Sequence, residues 1–196
     1  MKKKGKPALG ARLTALCMAA LMAVSMLPAQ IASAAETSFG KIAAEQDFTT
    51  GRYVMVTDTG YAPQKIDGTW LPADELGTAL GDTVSAPADE TVWEIAVTAD
   101  TATIKDMDGK FLAPKGGNNN GITPSDTEYQ WKWECTDGKF TFSGQGDDTV
   151  ILASNRSSQN KFRAYKTTTV SGNPNGYLSE FTLYKEESGG TSEGTV

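Results

Sequence analysis

The segment QWKWECTDGKFTFSGQGDDTVILASN, residues 130–155, repeats a pattern that the chain has already used forty positions upstream. Trp133-Glu134 and the later Leu152-Ala153 correspond to Trp93-Glu94 and Leu112-Ala113. Between these positions, short apolar and aromatic runs alternate with turns rich in Gly, Asp and Asn, a pattern typical of β-strands. Strands are expected at residues 53–56, 93–97, 101–105, 139–143, 150–154 and 181–184. Because no segment after residue 35 sustains a helical period, and residues 73–80 allow at most one short helical turn, the sequence predicts an all-β fold.

A second motif shows that the repeat occurs three times. Asp67-Gly-Thr-Trp-Leu71 matches Asp108-Gly-Lys-Phe-Leu112 at an offset of 41, and Asp148-Thr-Val-Ile-Leu152 follows at an offset of 40. Three units of this length predict a β-trefoil-like closed barrel, in which four strands occur three times and closure removes exposed sheet edges. Equivalent positions around one core favour equivalent side chains, so Trp70 is expected in the core. Lectin-type trefoils carry Gln-x-Trp, whereas Gln130-Trp131-Lys132-Trp133 shifts that spacing by one, which counts against lectin-like sugar pockets. The match is imperfect, because the third unit ends in a longer, Gly- and Asn-rich excursion from Thr167 to Tyr177. A β-sandwich is the alternative fold.

The first 35 residues have the plan of a secretory signal peptide: a basic start, an apolar middle and a small-residue end. The apolar run at residues 13–27 is shorter than the roughly 20 residues that a membrane span needs, and Ala32-Ser33-Ala34 offers a cleavage site. The sequence therefore predicts a secreted, extracellular protein, or a cell-surface one if it belongs to a larger anchored protein. No membrane span is expected in the mature chain.

Removal of that segment would leave 13 basic against 24 acidic residues, a net charge of −11. Such an acidic chain repels phosphate backbones, so no nucleic-acid partner is expected. Cys135 would be the only remaining cysteine, which rules out an intramolecular disulfide. Alternation from Trp133 places Cys135 on the core face, and we expect it to be buried.

Composition divides the mature chain into three parts. Residues 36–47 mix small and charged residues without a period and are interpreted as a lead-in. Residues 48–186 have the size of one domain with one core. Residues 187–196, rich in Gly, Ser and Thr, are interpreted as a linker or tail. Such a tail favours further domains downstream in the same gene product.

Five stretches carry a resemblance to a known family: GRYVMVTDTGYAP at 51–63, PKGGNNNGI at 114–122, DTVILASN at 148–155, NKFRAYKTTTVSGNPNGY at 160–177 and FTLYK at 181–185. Together they resemble a β-rich, N-terminal accessory module of large secreted proteins of Gram-positive anaerobes. That module sometimes stands beside metallophosphatase, nucleotidase or nuclease domains. The resemblance implies an extracellular, non-catalytic module and brings no site residues with it.

The absence of histidine removes the commonest general base and the commonest transition-metal ligand. Ser-His-Asp and Cys-His mechanisms are excluded within the chain, and neither a zinc cluster nor any other cofactor is expected. Paired carboxylates remain at Asp89-Glu90, Asp106/Asp108 and Asp147-Asp148, but each pair lies in or beside an expected turn, where Asp binds nearby backbone amides. At Asp106-Met-Asp108-Gly, Lys110 stands where a calcium loop needs an oxygen ligand. We therefore expect no enzyme, with a carboxylate-dependent hydrolase as the remaining catalytic alternative.

The most unusual loop runs from Lys115 to Gly121 and contains Asn118, Asn119 and Asn120. Such a run can adopt positive φ and expose backbone amides to an anion or a sugar hydroxyl. A long surface turn without a ligand explains it equally well and is the favoured interpretation.

A second candidate region gathers four basic residues in an otherwise acidic chain, Arg156, Lys161, Arg163 and Lys166, and it also contains Asn155 and Tyr165. Alternation puts Lys161, Arg163 and Tyr165 on one strand face, where Arg163 can bind a carboxylate or phosphate and Tyr165 can stack on a ring. An exposed face paired with the protein's own acids is the alternative. Tyr61 and Tyr177, both in expected loops, complete the candidates as exposed aromatic contacts for a sugar.

These observations predict a secreted accessory module that binds a glycan, a wall polymer or a neighbouring domain without performing chemistry. The alternative is a structural spacer or capping domain of a larger secreted enzyme, such as a metallophosphatase or nuclease.

Overall fold

The computed structural model describes residues 37–116, 120–146 and 149–187. Fifteen strands and one short α-helix account for most of the regular structure in these ranges. The strands are β1 Ser38–Lys41, β2 Gly51–Val56, β3 Tyr61–Pro63, β4 Ala73–Glu75, β5 Thr83–Ser85, β6 Val92–Val97, β7 Thr101–Lys105, β8 Phe111–Pro114, β9 Ile122–Ser125, β10 Gln130–Thr136, β11 Lys139–Ser143, β12 Val150–Asn155, β13 Lys161–Lys166, β14 Tyr177–Leu178 and β15 Thr182–Glu186. The helix, α1, spans Thr167–Gly172, and 3₁₀ turns occupy Glu45–Asp47 and Asp89–Thr91.

Alternation of apolar and polar residues produces the long strands. In β10, Trp131 and Trp133 are buried while Lys132 and Glu134 are exposed. Successive side chains of a strand point to opposite faces, so this pattern buries one face and leaves the other in solvent. The six strands expected from the sequence are confirmed, with differences of one or two residues at their ends. The fold is all-β, as predicted.

One curled antiparallel sheet carries most of the strands, while β3 and β4 form a separate hairpin. In the sheet, β2 pairs with β6, β6 with β7, β7 with β10, and β10 with β11. The last long strand, β15, pairs with β2. Just before β15, Phe181 exchanges two backbone hydrogen bonds of 2.9 Å with Phe140 of β11. The pairings thus lead from β2 through five other strands and back to β2.

Three connecting segments meet at one end of this arrangement. Leu71 and Phe162 exchange backbone hydrogen bonds of 2.9 and 3.0 Å. The amide of Gly121 donates to Ala164 (2.9 Å), and the amide of Ile122 donates to Thr69 (3.2 Å). Because each segment bonds to the other two, the turn before Leu71, the loop before β9 and strand β13 are fixed relative to one another.

The main core is aromatic. The ring of Phe48 packs edge-on against Tyr53 and Trp133, with centroid separations of 5.5 and 5.0 Å. The buried indole N–H groups of Trp93 and Trp131 donate to the carbonyls of Pro63 (3.0 Å) and Leu112 (2.8 Å). Large rings contribute much buried area, and a buried indole needs such an acceptor. A smaller apolar cluster lies apart from this core: Phe39, Val54, Val56, Ala62, Val84, Val92 and Tyr184.

The structure corrects three expectations about local structure. Residues 73–80 begin with strand β4 rather than a helical turn, because residues 73–75 pair with β3. Residues 36–47 are not only a lead-in, since β1 pairs with both β15 and β5 and buries Phe39. The excursion at 167–177 contains α1, whose six residues are too few to show a helical period in the sequence.

Several predictions concern residues outside the described ranges. They are the signal peptide at 1–35, Asn118 and Asn119 of the glycine- and asparagine-rich loop, the pair Asp147-Asp148, and the tail beyond residue 187. These remain predictions. Among the described residues, no helix combines the length and apolar character that a membrane crossing requires.

Candidate ligand-binding site

An open cavity of about 460 Å³ lies beside α1 in the described part of the chain. This volume lies in the range of small-ligand sites, roughly 300–1,000 Å³. Its walls combine one aromatic ring, aliphatic side chains, hydroxyls and carboxylates. The lining residues are Asp58, Ile151, Thr167, Val170, Ser171, Pro174, Tyr177, Leu178, Ser179 and Glu180.

The cavity exists because the third repeat unit is longer than the other two. After β13 the chain forms α1, with the amide of Thr167 bonded to Thr149 (3.0 Å). It then turns at Asn173-Pro174-Asn175-Gly176 and returns as β14, which pairs with β12. This excursion carries Val170 and Pro174 on one wall and Tyr177 and Leu178 on another.

Arg156 and Asn155 support this excursion. The backbone amide of Arg156 donates to Gly176 (3.0 Å), and its guanidinium donates to the carbonyl of Asn175 (3.4 Å). Asn155 accepts hydrogen bonds of 3.0 and 2.8 Å from the amide and hydroxyl of Ser157. Asn155 thus stabilises the turn that follows β12, and Arg156 holds the returning chain at residues 175–176. These two predicted binding residues support the cavity without lining it.

Tyr177 is the aromatic wall of the cavity, and Tyr165 fixes its position. The two rings meet edge to face, with centroids 4.8 Å apart and an angle of 63°. Tyr165 is only 4 % exposed. Burial raises the pKa of Tyr165, although the charge of Arg163 and a hydrogen bond with Asn155 act in the opposite direction. The Tyr165 ring is therefore covered rather than presented to a ligand, whereas half-buried Tyr177 lines the cavity.

Two carboxylates line the cavity, and they differ in whether they form an ion pair. Asp58 is bound by the ammonium group of Lys139, which also donates to the hydroxyl of Thr182 (2.8 Å). Glu180 is exposed and makes no ion pair or hydrogen bond with any described residue. A free carboxylate accepts hydrogen bonds from ligand hydroxyls or amines, so Glu180 is the acceptor that a ligand can use without displacing a protein partner.

A second surface lies on the outer face of β13. The ammonium of Lys161 lies 4.3 Å from the centroid of the Trp70 ring, and the guanidinium carbon of Arg163 lies 5.2 Å from the same centroid. We call these three residues the cationic shelf. The expectation that Trp70 is in the core is wrong, since it is half-buried beneath the two cations. The expected pairing of this face with the protein's own acids is not found among the described residues.

The loop before β9 borders the shelf. The side chain of Asn120 accepts a hydrogen bond from the amide of Lys166 (3.1 Å). The amide of Gly121 is used by Ala164, so it is not available to an anion as the sequence had suggested. Lys115 is exposed, and its aliphatic stem passes 3.5 Å from the position a β-carbon at residue 121 would take. The structure thus brings Lys115 and β13 together from positions far apart in sequence.

Tyr61 does not behave as the exposed loop residue that the sequence suggested. It lies in β3, opposite Glu75, and packs against the main core. Its amide donates to the hydroxyl of Thr57 (3.3 Å). Tyr61 is therefore a structural residue of the first unit.

The paired carboxylates that the structure describes are occupied by structural roles. Asp106 is buried and accepts backbone hydrogen bonds from Asp108 (3.0 Å) and Lys110 (2.9 Å), as expected of a turn. Lys65 lies 3.3 Å from Asp108 and 3.8 Å from Glu90. Within the described ranges, no group of three or more potential ligands is arranged to hold a metal ion.

Sequence reasoning missed most of the cavity. Val170, Leu178, Glu180 and Asp58 have no shared motif, and they come together only through the pairing of β14 with β12 and the position of α1. The one available signal was the excursion itself, because an insertion that breaks a repeat is a common place for a binding surface.

The chain matches no protein-family model and no curated protein. Among solved structures, its fold is similar to that of the lectin of Polyporus squamosus, crystallised with the human-type influenza-binding epitope Neu5Aca2-6Galb1-4GlcNAc. The TM-score is 0.51 and the sequence identity 12%, over 70% of this chain and 49% of that one. The aligned part is thus about half of the lectin's length. At this identity the similarity concerns the fold alone.

Proposed function

We propose that this protein is a secreted, non-catalytic accessory module that binds a glycan in the cavity beside α1. The observation that carries the proposal is the composition of that cavity, which places the Tyr177 ring and aliphatic walls together with the unpaired carboxylate of Glu180. A sugar presents both an apolar ring face and a set of hydroxyls. An aromatic surface combined with hydrogen-bond acceptors suits both features.

The finer fold that we propose is a closed β-trefoil barrel of three units rather than a β-sandwich. It is supported by the return of the strand pairings to β2 and by the meeting of three connecting segments at one end. Burial supports it as well. Leu71, Leu112 and Leu152, one from each unit, are all fully buried, while the residue before each of them is half-buried. A fold similar to a lectin's is compatible with this proposal.

Secretion and family membership enter as parts of the same proposal. They rest on the signal-like composition of residues 1–35 and on the resemblance to accessory modules of secreted Gram-positive proteins. A module of this kind would hold an enzyme near its substrate by binding a glycan or wall polymer. A second candidate, a spacer or cap that binds no glycan, is favoured by the linker-like composition of residues 187–196.

A glycan array with the purified protein tests the proposal, followed by titration of each hit by calorimetry. Val170→Trp should fill the cavity and abolish binding, and Glu180→Gln should weaken it, because an amide replaces a charged acceptor. Glu128→Gln provides the matched control, since Glu128 is equally exposed but lies on the loop before β10. Wild-type affinity in Val170→Trp would remove the cavity as the site. Absence of any hit would favour the spacer.

A further inference from the structure

We propose that the cationic shelf, formed by Trp70, Lys161 and Arg163, is a second binding site, selective for oxyanions. Its ligand would be a carboxylate or phosphodiester group carried by an acidic polysaccharide or a wall polymer. The site is distinct from the cavity and does not depend on the glycan proposed there.

The backbone of β13 directs both cations to the same surface. Lys161 and Arg163 are two positions apart, so their side chains leave the same face of the strand. Phe162 and Ala164 occupy the opposite face and are fully buried. The paired backbone hydrogen bonds between Leu71 and Phe162 hold the turn that carries Trp70 against β13. The shelf is therefore anchored in the core rather than on a free loop.

Trp70 positions the two cations before any ligand arrives. A cation near an aromatic ring is attracted by the ring's electron-rich face. Two long side chains that already lie near one ring lose less rotamer freedom when they bind a ligand. The shelf should therefore bind a ligand more tightly than two freely rotating surface lysines would.

The charge balance around the shelf is the main argument for an anion. Neither Lys161 nor Arg163 has a carboxylate oxygen within 4.0 Å among the described residues, although acids outnumber bases in this chain. Like charges beside one ring repel each other, and an oxyanion between them would relieve that repulsion. A further exposed cation, Lys115, lies on the loop whose Gly121 amide donates to Ala164 of β13.

Lys105 is a second cation beside an aromatic ring, and it serves as a comparison for the shelf. It lies 5.6 Å from the centroid of the Phe111 ring, the residue that the repeat equates with Trp70. Unlike the shelf residues it has an acidic partner, since its ammonium lies 2.9 Å from Glu94. The cation beside the ring of the second unit is therefore neutralised, whereas the two cations beside Trp70 have no acid within ion-pair distance among the described residues.

The guanidinium of Arg163 gives a further indication of an anion site. Its Nε atom is covered by protein and donates to no described acceptor. A buried donor without an acceptor destabilises the structure, because it has lost its hydrogen bonds to water. A small rotation of the side chain toward a bound carboxylate or phosphate would supply that acceptor, because the edge of a guanidinium binds such groups through two parallel N–H donors.

The cavity and the shelf differ in charge, which separates their ligands. Glu180 and Asp58 line the cavity and repel an anion, whereas the shelf presents only cations among its described charged side chains. A polymer with neutral sugars and regularly spaced anionic groups would satisfy both surfaces.

The test measures binding of two anionic probes at low ionic strength: an oligogalacturonate, which carries carboxylates, and an oligomer of glycerol phosphate, which carries phosphodiesters. A neutral maltooligosaccharide of equal length is the control ligand. We expect micromolar to millimolar binding of at least one anionic probe, weakened by added salt. The double variant Lys161→Gln/Arg163→Gln should bind at least tenfold more weakly.

Two variants distinguish binding at the shelf from binding elsewhere on the protein. Lys105→Gln, which removes a cation beside a ring outside the shelf, should bind the anionic probe like the wild type. Glu128→Gln, at an exposed position on the loop before β10 and outside both surfaces, should also retain it. Circular dichroism and fluorescence confirm that each variant folds.

Each outcome decides the question. Binding of only one anionic probe assigns the ligand to that chemical source, and binding of both assigns a general oxyanion site. The inference is overturned if neither probe binds, if the neutral oligosaccharide binds equally well, or if the double variant keeps wild-type affinity.

Discussion

Replacing the three repeat leucines one at a time tests whether the units are equivalent in energy as well as in sequence. Leu71, Leu112 and Leu152 are each 0% exposed. Truncating a fully buried leucine to alanine removes its transfer free energy and leaves a cavity, at a total cost of about 3–4 kcal/mol. A domain of this size has a free energy of unfolding of about 5–15 kcal/mol. Each alanine variant should therefore fold but be markedly less stable.

Urea unfolding, followed by the fluorescence of the buried tryptophans, measures the effect. With a denaturant dependence of about 1–3 kcal/mol per molar urea, a loss of about 3–4 kcal/mol should lower the midpoint by roughly 1–4 M. Met107→Ala is the control, because Met107 is 43% exposed and should change stability by less than about 0.5 kcal/mol. If an alanine variant is too unstable to purify, the corresponding valine variant replaces it. One leucine costing under about 1 kcal/mol while the others cost over about 3 kcal/mol would refute the equivalence.

Three further predictions follow from local geometry. Gly60→Ala should destabilise the protein by about 1–3 kcal/mol more than Gly109→Ala in the same urea assay. Both glycines have φ near +80°, but only the β-carbon at residue 60 would meet a backbone carbonyl oxygen, at 2.2 Å. Equal losses of stability in the two variants would contradict this. Burial raises the pKa of Tyr53 and Tyr165 above 10.0, so the folded state favours the neutral phenols and the free energy of unfolding should fall as the pH rises above 10; a flat profile there would disprove it. Burial likewise raises the pKa of the Cys135 thiol, so alkylation at pH 8 should be slower in the folded protein than in urea, and equal rates would count against it.

Cys135 and Trp70 show that alternation and repetition do not predict how deeply a residue is buried. Alternation from Trp133 correctly placed Cys135 beside the core, but the residue is only partly buried because it lies next to the hairpin turn that joins β10 to β11. Repetition correctly gave Trp70, Phe111 and Ile151 the same environment, yet that environment is half-buried. The fully buried position in each unit belongs to the leucine that follows.

The basic strand and the asparagine-rich loop were recognised separately, and the sequence could not show that they are neighbours. Lys115 and Lys161 are far apart along the chain, and two hydrogen bonds, from the Gly121 amide to Ala164 and from the Lys166 amide to the Asn120 side chain, hold the loop against β13. Alternation along β13 also failed to predict the burial of Tyr165, because it does not reveal that the Tyr177 ring of β14 packs against it.

The sequence by itself determined six of the strands and the all-β class, because side-chain alternation and turn composition are local properties that each segment carries independently of its partners. It also determined the departure from the repeat at residues 167–177. Only the tertiary structure decided that this departure walls a cavity with Tyr177 and Glu180, and that Lys161 and Arg163 lie beside Trp70 without an acidic partner among the described residues. Both surfaces depend on pairings between distant strands, and the free energy of those pairings comes from the shared core rather than from any segment alone.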